Sequence, residues 1–244
     1  MTSSARTRKS GGSTFAGTIP ELEPGDRLSR DEFERRYEAM PRLKKAELIE
    51  GVVYMPSPVR FRRHGGPHAS IITWLGNYLA DTPGVEVADN TSVRLDLNNE
   101  PQPDAALFIA PECGGQVRIS SDDYLESAPE LVAEVASSSV SYDLNVKRAV
   151  YCRNGVREYL VWRVRDQQID WFVLRGGGYQ LLEPHSDGIL RSPFFPSLWL
   201  DPSAFLRGDL AAALHVLDQG LATAEHAAFV QRLDQAQRLD KPIE

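Results

Sequence analysis

The chain has 244 residues, 42% hydrophobic and 25% charged, with a formal net charge of −7. That size and composition fit an ordinary soluble globular protein with a sizeable core; the acidic balance argues against a protein that coats nucleic acid non-specifically, but leaves room for a local basic groove. Cys113 and Cys152 make neither a disulfide framework nor a metal-ligand spacing, and read as reduced thiols in a cytoplasmic protein.

Residues 1–18 are rich in Ser, Thr, Gly and Arg and read as a disordered N-terminal tail. Arg6, Arg8 and Lys9 are followed by no apolar stretch, so no secretory signal is expected. No apolar run approaches the roughly 18 residues of a membrane span. Ser29 reads as a helix N-cap, with Glu32 completing a capping box, for a short helix through Phe33, Tyr37 and Met40. Leu48 to Met55 reads as a hairpin or bent strand turning at Gly51, ended by Pro56 and Pro58. From His68, the apolar Ile71, Ile72, Leu75, Tyr78 and Leu79 recur at helical spacing, in a helix ending before Pro83-Gly84.

Short strands are predicted at Val85–Val87 and Ser92–Leu97, the second alternating as a strand with one wet face does. Asp104–Ile109 and Leu131–Ala136 are more uniformly apolar, as central strands covered on both faces are. Tyr142–Asn154 reads as a helix stopped by Gly155. Strands follow at Glu158–Val164, Ile169–Leu174 and Tyr179–Leu182, the last two a hairpin through Gly176-Gly177-Gly178. Beyond Pro202, Leu206, Leu210, Leu214, Leu217 and Leu221 predict one long amphipathic C-terminal helix, continuing past Gly220 through Leu233. The order of elements predicts an α/β fold, a mixed α+β sheet with helices on its faces.

The residues that carry chemistry lie between Asp104 and Lys147. Asp104 opens the apolar run Ala105–Ile109, and Glu134 sits inside Leu131–Ala136. Burying an unpaired carboxylate costs several kcal/mol unless a cation or partner compensates it. Mg²⁺ or Mn²⁺ would do so, because hard cations prefer carboxylate and carbonyl oxygen. Asp104, Glu134 and the backbone carbonyl of Val135 are therefore the candidate metal set, with Glu50 reaching it through a water. Lys147 is the candidate for orienting that water or stabilising developing negative charge. Asp143, Lys147 and Tyr151 follow at four-residue steps and share one helix face.

Each residue also has a structural reading. Asp104 could hold a turn after Pro103, and Glu134 could form a buried ion pair with Lys147 or Arg148. Glu50 could be an ordinary strand-end charge, Lys147 a solvated partner of Asp143, and Tyr151 a core aromatic. Arg60-Phe61-Arg62-Arg63-His64 is the dense basic cluster of the folded region. Arg60, Arg62 and Arg63 with an interleaved aromatic suit phosphate contact and base stacking, or an exposed solvated loop. His68, opening a helix after Pro67, is a candidate phosphate contact, or a half-exposed helix-start residue.

The order Glu50-Gly51, Met55-x-Ser57-Pro58, His68, Pro103-Asp104, Glu134, Ser137, Asp143, Lys147 and Tyr151 resembles the Uma-type family of restriction-endonuclease-like proteins. Gly155-Val156-x-Glu158-Tyr159 and Arg191-Ser192-Pro193 fit its pattern too, so the likeness runs from Leu28 to Leu206. The family is similar to the PD-(D/E)xK nuclease superfamily, which implies a mixed sheet flanked by helices. It implies Asp104 and Glu134 as metal-binding acids and Glu50 as the upstream acid. Two positions after Glu134 the superfamily has lysine and this chain has Ala136; Lys147, on the next helix, takes that place, a relocation the family shows generally.

The implied activity is Mg²⁺- or Mn²⁺-dependent endonucleolytic hydrolysis of DNA, with a homodimer as the expected assembly and no membrane partner. The alternative is a catalytically inactive nuclease-fold module for binding or assembly. The net charge of −7 favours that alternative; the retained acids and Lys147 oppose it. The chain is expected to divide into the tail (1–18), a nuclease-like domain (19–202) and a C-terminal helical extension (203–244).

Overall fold

The computed structural model describes residues 18–56 and 60–240, so the Ser57-Pro58 motif and all but Thr18 of the expected tail lie outside the described residues. Helix α1 (Arg30–Glu38) starts at Ser29, whose Oγ accepts from the Glu32 N–H at 3.4 Å. The hairpin β1 (Glu47–Ile49) and β2 (Val52–Tyr54) reverses at Glu50 and Gly51, with φ of 53° and 70°. Two left-handed residues make the turn whose twist matches that of the strands. A 3-10 turn (Phe61–Arg63) leads into α2 (Gly65–Asp81), which begins ahead of His68.

Next come β3 (Val85–Asp89), β4 (Val93–Arg94), β5 (Ala105–Ile109), β6 (Arg118–Ile119), β7 (Leu125–Glu126) and β8 (Leu131–Ala136). A continuous helical segment follows: α3 (Val140–Tyr142), a π-helical turn (Asp143–Lys147) and α4 (Arg148–Asn154), stopped by Gly155 at φ 85°. The strands β9 (Glu158–Arg163), β10 (Gln168–Arg175) and β11 (Gly178–Leu181) come next, then the short pair β12 (Leu190–Arg191) and β13 (Trp199–Leu200).

The main sheet has the order β11-β10-β9-β8-β5-β3, antiparallel throughout except between β8 and β9. Parallel neighbours cannot be joined by a tight turn, so the segment 140–154 crosses over between β8 and β9. Side chains alternate along a strand, and those of β8 enter two cores. Leu131, Ala133 and Val135 pack with Trp74, Trp171 and Phe195, while Val132 and Ala136 pack with Tyr151, Tyr159 and Phe172. A near-continuous apolar run, broken in β8 by Glu134, is what a strand covered on both sides requires.

The C-terminal leucine stripe is three helices, α5 (Pro202–Arg207), α6 (Leu210–Leu221) and α7 (Ala224–Asp240), where one long helix was expected. Gly208 at φ 74° ends α5, and the Asp209 carboxylate caps α6 by accepting from Ala212 N–H at 3.1 Å. Thr223 caps α7 through the His226 N–H at 3.2 Å. Phe205, Leu217, Phe229 and Leu233 of these helices belong to the same core as Trp74 and Trp171. Among the described residues, no helix is long and apolar enough to cross a membrane.

Candidate active site

Strand register brings the two predicted acids together. β5 and β8 pair as Ala105↔Ala133 and Ala106↔Val132. One step further, where the ladder stops, Asp104 stands opposite Glu134 on the sheet face shared with Val132 and Ala136. Directly opposed residues on one face are side-chain neighbours. Both acids are buried and line a cavity of about 820 Å³. Asp104 Oδ2 replaces the missing ladder partner, accepting from Val135 N–H at 2.8 Å. It also meets His64 Nε2 at 3.1 Å, and Oδ1 accepts from Lys45 Nζ at 3.3 Å. Burial alone would push the Asp104 carboxyl up; the His64 hydrogen bond, the Lys45 charge and the Val135 N–H outweigh it and hold it below the usual carboxylate range.

The crossover helix supplies the cation. In the π-helical turn the Arg148 N–H reaches back to the carbonyl of Asp143, a widened turn often found at functional sites. Asp143 and Lys147 are both buried there and line the cavity. Lys147 Nζ donates to Glu134 Oε1 at 2.9 Å and to Glu47 Oε1 at 2.8 Å. Burial would lower its pKa, but Glu134, Glu47 and Asp143 outweigh that and hold it well above the ordinary lysine value. Burial, with Asp104, Asp143 and Glu47 adding to it, outweighs the pull of Lys147 and raises the Glu134 carboxyl to about 8. Tyr151, one turn beyond Lys147, donates its hydroxyl to Glu134 Oε1 at 3.0 Å. Among the described residues, the other Glu134 oxygen makes no hydrogen bond.

Not every predicted residue reaches this cavity. Glu50 occupies the left-handed turn position, exposed, and its carboxylate takes Arg153 Nη2 at 2.7 Å. The acid of that hairpin facing the cavity is Glu47, which also accepts from Gln102 N–H at 2.8 Å. Tyr151, expected as a substrate contact, is buried and does not line the cavity; its hydroxyl meets Glu134 instead. His68 lines the cavity, but its Nε2 already meets the Asp104 carbonyl at 2.9 Å and Asp89 Oδ1 at 3.0 Å. Arg60 and Arg63 stand exposed at the cavity rim, whereas Arg62 lines a different depression.

Four further lining residues, Lys45, Glu47, His64 and Arg165, were not singled out from the sequence. Glu47 carries the same signal as Asp104, an acid opening an apolar strand, and His64 belonged to the basic cluster. Lys45 and Arg165 carry none. The Tyr54 and Tyr142 rings, 4.4 Å apart, form an aromatic wall of the same cavity.

Residues 30–203 match the Uma2 family, described as "Putative restriction endonuclease". No curated protein matches the chain. Among solved structures, it is similar to "a putative nuclease belonging to DUF820" from Anabaena variabilis. That likeness has a TM-score of 0.54 at 14% identity, covering 74% of this chain and 98% of the other; at such identity it shows the fold.

Proposed function

The chain belongs to the Uma2 family, and from that premise we propose that it is a metal-dependent endonuclease hydrolysing phosphodiester bonds of DNA in the cleft between Asp104 and Lys147. The observation that carries this reading is the opposition of Asp104 and Glu134 at the open end of the β5–β8 ladder, both buried and facing a cavity with a basic rim.

The donor set fits a hard divalent cation, Mg²⁺ or Mn²⁺. Two carboxylates stand on adjacent strands, and the Val135 carbonyl leaves β8 on the same edge as the N–H bonded to Asp104. Among the described residues, no group of three His, Cys, Asp or Glu side chains stands at ligating spacing. The remaining positions would fall to water and substrate oxygen, as they usually do around Mg²⁺. When bound, such a cation lowers the pKa of a water and neutralises phosphate charge.

The protein's own groups have separate tasks. Lys147 remains charged between Glu47 and Glu134, so it cannot take a proton; it stabilises negative charge that develops beside Glu134. Tyr151, with its pKa pushed well up by burial and by Glu134, keeps its proton and fixes the Glu134 carboxylate. Arg60, Arg63 and Arg165 at the rim hold phosphates flanking the one being cut.

Calorimetric titration with Mn²⁺ and plasmid nicking, run on wild type, Asp104→Asn, Glu134→Gln and Glu50→Gln, test this reading. Wild type and Glu50→Gln should bind metal and nick; the other two should fold and do neither. A wild type that binds no Mn²⁺ at millimolar concentration, or an Asp104→Asn that nicks undiminished, makes the acids structural.

A further inference from the structure

A second cavity, of about 390 Å³, lies beside the first and is walled by Arg62, Gly66, Ser70, Trp162 and Arg207. The 3-10 turn Phe61–Arg63 is the ridge between the two: Arg60 and Arg63 face the first cavity, Arg62 the second. Its backbone is fixed, because the Arg60 carbonyl accepts from the N–H groups of Arg63 (3.2 Å), His64 (2.9 Å) and Gly65 (3.3 Å). Phe61 stands on this ridge 78% exposed. Its ring edge lies over Gly66, where a Cβ would sit 3.9 Å from two ring carbons. A phenylalanine held in water forgoes the gain of burial, and nothing among the described residues covers it. Such a ring, flanked by arginines on a rigid turn, has the components of a base-stacking platform.

Taking the cleft as a phosphodiesterase site, we infer that the ridge grips an unpaired strand. Phe61 stacks on one base. The phosphate on the cleft side of that nucleotide goes to Arg60 and Arg63, and the phosphate on the far side to Arg62 and Arg207 in the second cavity. Tyr54 and Tyr142 offer the next base an aromatic wall inside the cleft. A base lying on Phe61 has left its own stack, so the substrate is single-stranded or locally unpaired DNA. Stacking tolerates any sequence, because every base has a π face. A short grip of this kind also suits a chain of net charge −7, because it draws on a few local arginines.

Anisotropy of a fluorescein-labelled oligothymidylate and of a hairpin duplex, measured on the full chain without divalent metal, tests this. The single strand should bind more tightly than the duplex. Phe61→Ala should weaken single-strand binding about tenfold, and Phe61→Trp should restore it. An abasic site at the stacked nucleotide should cost wild type the same factor and Phe61→Ala nothing. Arg62→Gln with Arg207→Gln should flatten the salt dependence by roughly 0.7 in slope, the change expected when one single-strand phosphate is no longer neutralised. Equal binding of duplex and single strand, or an unaffected Phe61→Ala, overturns the grip. Nicking by wild type with Mn²⁺ reads the cleft independently: if it persists while Phe61→Ala binds normally, the grip alone falls.

Discussion

Lys147 is bound by two carboxylates that are 100 and 13 residues away in the chain, so the charge balance of the site turns on it. Removing it leaves Glu47, Glu134 and Asp143 buried without their cation. Lys147→Met should therefore cost about 3–5 kcal/mol of folding stability, and adding Glu47→Gln should return part of it, as read by urea denaturation. A Lys147→Met chain as stable as wild type would mean the carboxylates are protonated without it.

Glu100 is another buried acid, and among the described residues neither of its oxygens has a hydrogen-bond donor. Burial and the neighbouring Glu34 push it from 4.5 to about 8. A carboxyl that titrates higher in the folded than in the unfolded chain keeps its proton in the fold. Its stabilising contribution is full below pH 4.5 and is lost as pH rises toward 8, by at most about 1.4 kcal/mol per pH unit. Glu100→Gln should remove that slope, leaving the variant level with wild type at low pH and more stable above the upper value; equal pH profiles would refute this. At this scale Asp104 and Glu134 were legible, because an acid among apolar strand residues is conspicuous. Glu47 bears the same mark at the start of β1, but Glu50 drew attention by standing beside Gly51; a turn residue points its side chain outward.

At the scale of elements, strand and helix periods placed nearly every segment of the main sheet. The π-helical turn was invisible, since its extra residue changes the hydrogen-bond ladder without disturbing the spacing of Asp143, Lys147 and Tyr151. The breaks in the C-terminal stripe were legible in principle: Gly208-Asp209 is a left-handed stop followed by an N-cap. Gly220 of α6 is a tertiary requirement. A Cβ there would lie 2.5 Å from the Ser197 carbonyl oxygen and 3.0 Å from the Trp199 ring. Helix propensity favours alanine by about 1 kcal/mol, but overpacking costs about 1–3 kcal/mol. Gly220→Ala should therefore lower the thermal midpoint, and a raised midpoint would show that α6 is not seated so closely.

At the scale of the whole molecule, α5, α6 and α7 complete the core on the sheet face opposite Glu134. Phe205, Leu217, Phe229 and Leu233 pack around Trp74 and Trp171, so ending the chain at Asp201 uncovers the apolar face of β8. That truncation should abolish cooperative thermal unfolding and expose dye-binding apolar surface. A truncated chain that melts cooperatively would make the helices an appendage the core does not need.

What the sequence determined by itself is local: which segments are strands or helices, and which acids would be costly to bury unpaired. These follow from side-chain period and polarity within a few residues. Only the tertiary structure decided that Asp104 opposes Glu134, that Glu47 rather than Glu50 faces Lys147, and that the basic run divides between two cavities. Those depend on strand order, on register and on the parallel step that carries a helix across the sheet, and burial of both sheet faces selects them only once distant segments meet.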